Sequence, residues 1–152
     1  MHNALHEPQT IVLLGGTSEI GRAIVDALAS PSTTTIVLAC RRPDEAQPEH
    51  FESSGRAVVV EPFDASDVES HEPFARRLAR DHGDLDVVIV AFGQLGDQEV
   101  FDDDPVAAAA VATVNYTGGV SASLAFSGVM RRQGHGHLTV LSSVAGARVR
   151  AS

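Results

Sequence analysis

Hydrophobic residues fall along the chain in short dense runs, separated by stretches in which apolar positions recur every three or four residues. Residues 10–14 form a β-branched and leucine run that ends in Gly15-Gly16, and Ile20, Ala23, Ile24, Ala27 and Leu28 then repeat at helical spacing. The predicted unit is strand, tight turn, helix. Pro31-Ser32 closes that helix, and residues 34–40 read as a second strand, nearly all apolar as a parallel strand covered on both faces should be. The polar stretch 41–54, with Pro43 and Pro48, is expected to hold a short second helix. A third strand at 57–60 is closed by Pro62, and a third helix lies within 64–83, with Ser66 and Asp67 as capping candidates and Arg76, Arg77 and Arg80 toward its end. Residues 85–92 are the fourth strand. Asp102, Asp103 and Asp104 before Pro105 mark the start of a long fourth helix running to Arg132, and residues 137–141 give a fifth strand.

Repeats spaced at about 30 residues predict an α/β fold of Rossmann type, a doubly wound parallel sheet in strand order 3-2-1-4-5 with right-handed crossovers. An eight-unit barrel is excluded, because it needs more than about 200 residues and the chain has 152. Residues 1–152 read as one domain with enough hydrophobic content, 43%, for a core. The formal net charge of -9 argues against nucleic acid or an anionic membrane as the main partner, so any phosphate must be bound locally. All 11 basic residues are Arg. Without Lys there is no Walker A loop and no Schiff-base chemistry. Cys40 is the only cysteine and reads as a buried hydrophobe, residues 1–9 show no secretory signal, and the apolar runs 87–92 and 106–111 are too short to span a membrane. A soluble, cytoplasmic protein is expected.

Candidate chemistry begins at the first turn, Gly15-Gly16-Thr17-Ser18-Glu19-Ile20-Gly21, where a strand hands over to a helix N-terminus and glycines let a phosphate approach the backbone. The six-residue step from Gly15 to Gly21 resembles the T-G-x-x-x-G-x-G loop of the short-chain dehydrogenase/reductase family. Asp64-Ala65 after the third strand, Ala91-Phe92-Gly93 ending the fourth, Asn115 within the fourth helix and Ser143 at the end of the fifth strand follow in the family's order. The resemblance implies a nicotinamide cofactor, NAD(P)H, bound by Gly15, Thr17, Ser18, Glu19, Ile20, Gly21, Asp64, Ala65, Ala91 and Gly93, with Asn115 and Ser143 as catalytic residues. Read without it, Asn115 is a helix residue bonding nearby backbone and Ser143 a strand-end cap. Two positions depart from the pattern: Glu19 replaces the middle glycine and Leu14 the leading Thr. A carboxylate beside a diphosphate is repulsive unless it points to solvent. Arg41, just past the second strand, is placed to bond a 2′-phosphate, which leans toward NADP.

Several segments, including residues 8–21, 36–40, 89–93 and 95–97, Asn115-Tyr116-Thr117 and Arg148-Val149-Arg150, resemble one branch of that family, the actinobacterial decaprenylphosphoryl-2-keto-erythro-pentofuranose reductases. The branch implies a lipid-linked sugar substrate, met at the membrane surface, and a product that feeds cell-wall arabinan. It also implies NADH, so the choice between NADH and NADPH stays open. The family's proton-donating Tyr lies about thirteen residues beyond the Ser, with Lys four residues later, and a chain closing at Ser152 does not reach them. Residues 1–152 are therefore expected to be an incomplete domain, ending before helix five and strand six, inactive alone, and poorly stable where Leu138, Val140 and Leu141 lack cover. The alternative is a non-catalytic nucleotide-binding fragment. In the family the fourth helix commonly forms a homo-oligomer interface, and Ala107–Ala110 and Gly118-Gly119 would permit close packing there. His135 and His137 read as loop residues rather than metal ligands.

Overall fold

The structure, a computed structural model, describes residues 7–52 and 55–143. The motif residues Val144-Ala145-Gly146 and Arg148-Val149-Arg150 lie outside them. Five strands, β1 (Thr10–Leu14), β2 (Thr35–Cys40), β3 (Ala57–Pro62), β4 (Val87–Val90) and β5 (His137–Val140), pair in parallel in the order β3-β2-β1-β4-β5. The expected topology is therefore present. Its helices are α1 (Glu19–Leu28), α2 (His71–His82), α3 (Gln98–Asp103), α4 (Pro105–Ala112) and α5 (Gly119–Gln133).

Side chains alternate between the two faces of the central strands, and each face carries its own core. Val12, Leu14, Val37, Ala39, Val88 and Val90 pack under α2 and α5, meeting Phe74, Leu78, Phe126 and Val129. On the other face Ile11, Leu13, Ile36, Leu38 and Ile89 pack with Val25 of α1, Ala46 and Phe51. Residues 11–14 and 36–39 have no exposed surface. Each buried Val, Leu or Ile there stabilises the fold by roughly 1.5–3 kcal/mol, which explains why these runs show no polar alternation.

The connections differ from expectation. The stretch 41–54 holds two single 3₁₀ turns, Pro43–Glu45 and Pro48–His50, instead of a helix. Each proline sits at the start of its turn, where its missing N–H is tolerated, and Pro48 cannot donate the bond that would carry the first turn onward. Ser66 and Asp67 do not cap α2, which begins after Ser70, because Asp64 and Ser66 form their own side-chain turn. The long fourth helix is divided. Asp97 caps α3 by accepting from the Glu99 N–H, Asp104 caps α4 by accepting from Val106 and Ala107, and a π turn, Thr113–Gly118, joins α4 to α5. On the outer strand β5, Val140 is half exposed, whereas Leu138 packs against the core and Leu141 is half-buried.

One buried carboxylate ties three strands together. Asp86, with no exposed surface, accepts from the N–H groups of Gln9 and Thr10 through Oδ2 at 2.8 and 3.1 Å, and its Oδ1 lies 3.4 Å from His135 Nε2. Its own backbone bonds Thr10 and His137. Asp86→Ala would leave the N–H groups of Gln9 and Thr10 without their acceptor, and a loss of roughly 2–4 kcal/mol is expected for a half-buried and a buried donor left unsatisfied. Urea denaturation of the purified variant checks this, and an unchanged midpoint would contradict it.

Candidate functional site

The carboxyl ends of β1, β2 and β4 open onto a cleft of about 290 Å³ at the point where the strand order reverses. Gly15, Thr17, Ser18, Arg41, Asp64, Ala65, Ala91 and Gly93 all line it. Gly15 has φ 101°, and a Cβ there would lie 2.6 Å from Phe92 N and 2.7 Å from the Ala91 carbonyl carbon. Only glycine fits that crossing. The glycine amides are not the anion donors that the turn suggests, because the N–H groups of Gly15 and Gly16 both donate to the Ala39 carbonyl, at 2.8 and 3.0 Å.

The donors lie one step further along. Ser18 caps α1 by accepting from the Gly21 N–H at 3.1 Å, and its own N–H donates to Gly15. Among the described residues, the N–H groups of Thr17, Glu19 and Ile20 meet no acceptor. Together with the positive end of the α1 dipole they present unbonded donors of the kind that suits an anion, beside the cleft. Glu19 and Ile20 themselves point outward, Ile20 being 68% exposed, and neither side chain lines the cleft. Gly21 is buried against Leu13 and Ala91, so its role is close helix–sheet packing.

At the other end of the cleft the two arginines divide. Arg42 is paired with Glu45 at 2.8 Å, whereas Arg41 makes no hydrogen bond or ion pair among the described residues and stands near the Asp64 carboxylate. Asp64 Oδ1 accepts from both the N–H and the hydroxyl of Ser66, at 2.8 and 2.7 Å. These bonds, the hydroxyl first, hold the Asp64 carboxyl below the usual carboxylate range, with smaller help from Arg41 and His71. Cys40 also faces the cleft, but burial pushes its thiol up, so it is a wall and not a nucleophile.

Asn115 sits on the π turn, and its side chain makes a two-way pair with the Gln94 backbone. Gln94 N–H donates to Oδ1 and Nδ2 donates to the Gln94 carbonyl, both at 2.8 Å. It thus braces the Gly93-Gln94 rim without lining the cleft. Ser143 is exposed beyond β5 and is not brought into the lining. Sequence reasoning missed Phe63, Gln94 and Val114, which line the cleft but carry no polar signature except Gln94. Among the described residues no cluster could hold a metal ion, and no helix is long and apolar enough to cross a membrane.

The π turn also presses Gly118 onto the cleft floor, where a Cβ would lie 2.2 Å from the Ala65 carbonyl oxygen. Gly118→Ala must displace either the Asp64-Ala65 turn or α5. A loss of roughly 1–3 kcal/mol is expected for such overpacking. A melting temperature equal to the parent's would count against this contact.

Residues 9–152 match the family model described as short chain dehydrogenase. An uncharacterized oxidoreductase of Streptomyces coelicolor is 39% identical over 145 residues, 94% of this chain and 57% of that protein. One from Mycobacterium tuberculosis is 38% identical over 143 residues, 92% of this chain and 57% of that protein. The chain thus spans 57% of the length of these relatives. Among solved structures, a short-chain type dehydrogenase/reductase from Mycobacterium marinum superposes with TM-score 0.84 at 17% identity, covering 96% of this chain and 60% of that one. A gluconate 5-dehydrogenase from Burkholderia cenocepacia, solved with NADP and tartrate, gives 0.78 at 21%, covering 95% and 57%. At those identities the likeness is one of fold.

Proposed function

The chain belongs to the short-chain dehydrogenase family, and on that footing we propose that it is the cofactor-binding part of an NAD(P)-dependent oxidoreductase. The observation that carries this reading is the mouth of the cleft. Three unbonded N–H groups at the start of α1 meet the end of a cleft whose far wall holds Arg41 and the ionised Asp64. A diphosphate suits the first and an adenosine ribose the second. Thr17, Ser18, Glu19 and Ile20 would hold the diphosphate through backbone or hydroxyl groups, Gly15 and Gly21 shape the turn, Asp64 and Ala65 receive the adenine, and Ala91 and Gly93 line the path toward the reacting end. The cofactor, when bound, supplies a hydride.

The same reading keeps Ser143 and Asn115 as catalytic residues. Ser143 holds the substrate carbonyl oxygen, and Asn115, which also braces the Gln94 backbone, anchors a water that leads to the family's lysine. Tyr116, the only tyrosine, stands 74% exposed away from the cleft lining, and there is no lysine. We assign the proton donor and its lysine to the length of the relatives that these residues do not span. Binding without turnover by the full-length polypeptide would favour the alternative of a non-catalytic nucleotide module.

For the substrate we propose decaprenylphosphoryl-2-keto-erythro-pentofuranose, reduced to decaprenylphosphoryl arabinofuranose for cell-wall arabinan. Hydride goes to the keto carbon and a proton to its oxygen, with the enzyme meeting the lipid at the cytoplasmic membrane surface. Support comes from the residues of segments 8–21, 36–40, 89–93 and 95–97. Adding a polyprenylphosphoryl 2-keto-pentose to the full-length protein should consume reduced cofactor at 340 nm, and no consumption would remove this substrate. For the cofactor, Arg41→Ala should weaken NADPH about 10- to 100-fold, the worth of a charge-assisted bond, and leave NADH unchanged. Equal loss for both, or none, would remove the 2′-phosphate role.

Val120, Leu124 and Tyr116 form an apolar groove on the outer face of α5, bounded by Val68 and Glu72 near α2. We propose that a second copy packs there, where Gly119 has open space around it and Gly128 lines the groove. Leu124→Arg should then lower the mass seen by light scattering, and an unaltered mass would argue against this face.

A further inference from the structure

Behind the cleft floor lies a buried histidine that none of the cofactor chemistry uses. His71, the first residue of α2, has no exposed surface, yet both ring nitrogens have partners. Nε2 lies 3.2 Å from the Asp64 carbonyl oxygen, and Nδ1 lies 3.0 Å from the Ser121 hydroxyl on α5. A carbonyl only accepts, so Nε2 carries the hydrogen. Nδ1 pairs with the Ser121 hydroxyl, which also donates to the Val68 carbonyl at 3.4 Å. Both ring nitrogens are thereby hydrogen-bonded, as burial requires.

What the ring touches belongs to the cleft. Its face stacks on Phe63, with centroids 4.9 Å apart at 22°, and Phe63 is itself a lining residue, 5.7 Å from Phe92. The carbonyl it holds belongs to Asp64, whose carboxylate is fixed from the other side by Ser66. One residue on, the Ala65 carbonyl rests against Gly118. The turn is therefore clamped at two consecutive carbonyls, by a donated hydrogen bond and by close packing. An apolar residue at position 71 could fill the same space and stack on Phe63, but it would leave the Asp64 carbonyl without its donor.

We propose that His71 is a positioning residue of the cleft, holding the Asp64-Ala65 turn and the Phe63 ring in the shape that receives the adenosine half of a dinucleotide. This rests on the cofactor reading above. The aromatic wall and the carboxylate acceptor together suit a purine bearing an amino group.

Two substitutions separate positioning from mere packing in the full-length polypeptide. His71→Phe keeps the ring and the stack and removes the donor; His71→Gln brings an amide N–H near the Nε2 position. Calorimetry should show ADP and NADH binding weakened about tenfold by H71F and kept within about threefold of the parent by H71Q. In turnover, H71F should raise KM for the cofactor and leave kcat at saturation unchanged. Should H71F not fold, Ser121→Ala, which frees the far nitrogen without touching the cleft, should weaken ADP about threefold. If H71F binds ADP as tightly as the parent, or if H71Q fails to rescue it, His71 is only a packing residue and the inference falls alone. If S121A must stand in for H71F, unchanged ADP binding overturns the inference in the same way. A parent protein that binds neither ADP nor NADH removes the cofactor reading and this inference with it.

Discussion

The chain leaving β1 crosses the chain leaving β4 so closely that no side chain fits between them, and the site follows from that crossing. Gly15 takes a left-handed φ of 101° with the Ala91 and Phe92 backbones against it, and the Ala39 carbonyl of β2 accepts from both Gly15 and Gly16. Three strand ends are thus locked to one point. Because the strand order turns outward there, the flanking crossovers run to opposite faces of the sheet and leave a gap between them. The glycines are used up in making the crossing. Donors for an anion can only come from the next residues, where the first turn of α1 has N–H groups but no preceding carbonyls to bond them.

The strands were legible in the amino-acid sequence because burial on both faces demands uninterrupted apolar runs, and β1 begins and ends where the run 10–14 does. The fourth run was read too long, since Leu85 and Asp86 are as buried as the strand but serve other ends. The Leu85 backbone bonds Gln133, and the Asp86 carboxylate holds the start of β1. The division of the long fourth helix is not visible in its periodicity, because α4 is an alanine-rich segment, apolar all round, with no distinct face against which the phase shift of a π turn could register. Its cause is tertiary: Gly118 must reach the Ala65 carbonyl while Asn115 reaches Gln94.

Much the same physics divides the site. Residues that end strands, such as Arg41, Asp64 and Ala91, were legible because polar or small residues break an apolar run there. Phe63 and Val114 were not, since an aromatic or aliphatic lining residue is indistinguishable by type from core. His71 gave no signal at all. Its value lies in reaching Asp64, seven residues back, and Ser121, fifty residues on, a pairing that only the packing of α5 against α2 creates.

A strongly acidic chain reserves a place for an anion by arranging its charges locally. Arg42 is neutralised by Glu45, which leaves Arg41 as the cation facing the cleft. Glu19 is out of place only when the turn is read as a string of letters matched to a glycine pattern. In three dimensions it is the first residue of α1, exposed, and clear of the cleft lining. There it interacts favourably with the helix dipole, by about 0.3–1 kcal/mol, and water and salt screen it over roughly 8 Å. Position 19 needs no glycine because its backbone already belongs to the helix. The carboxylate can lean into solvent while its own N–H still faces an incoming phosphate.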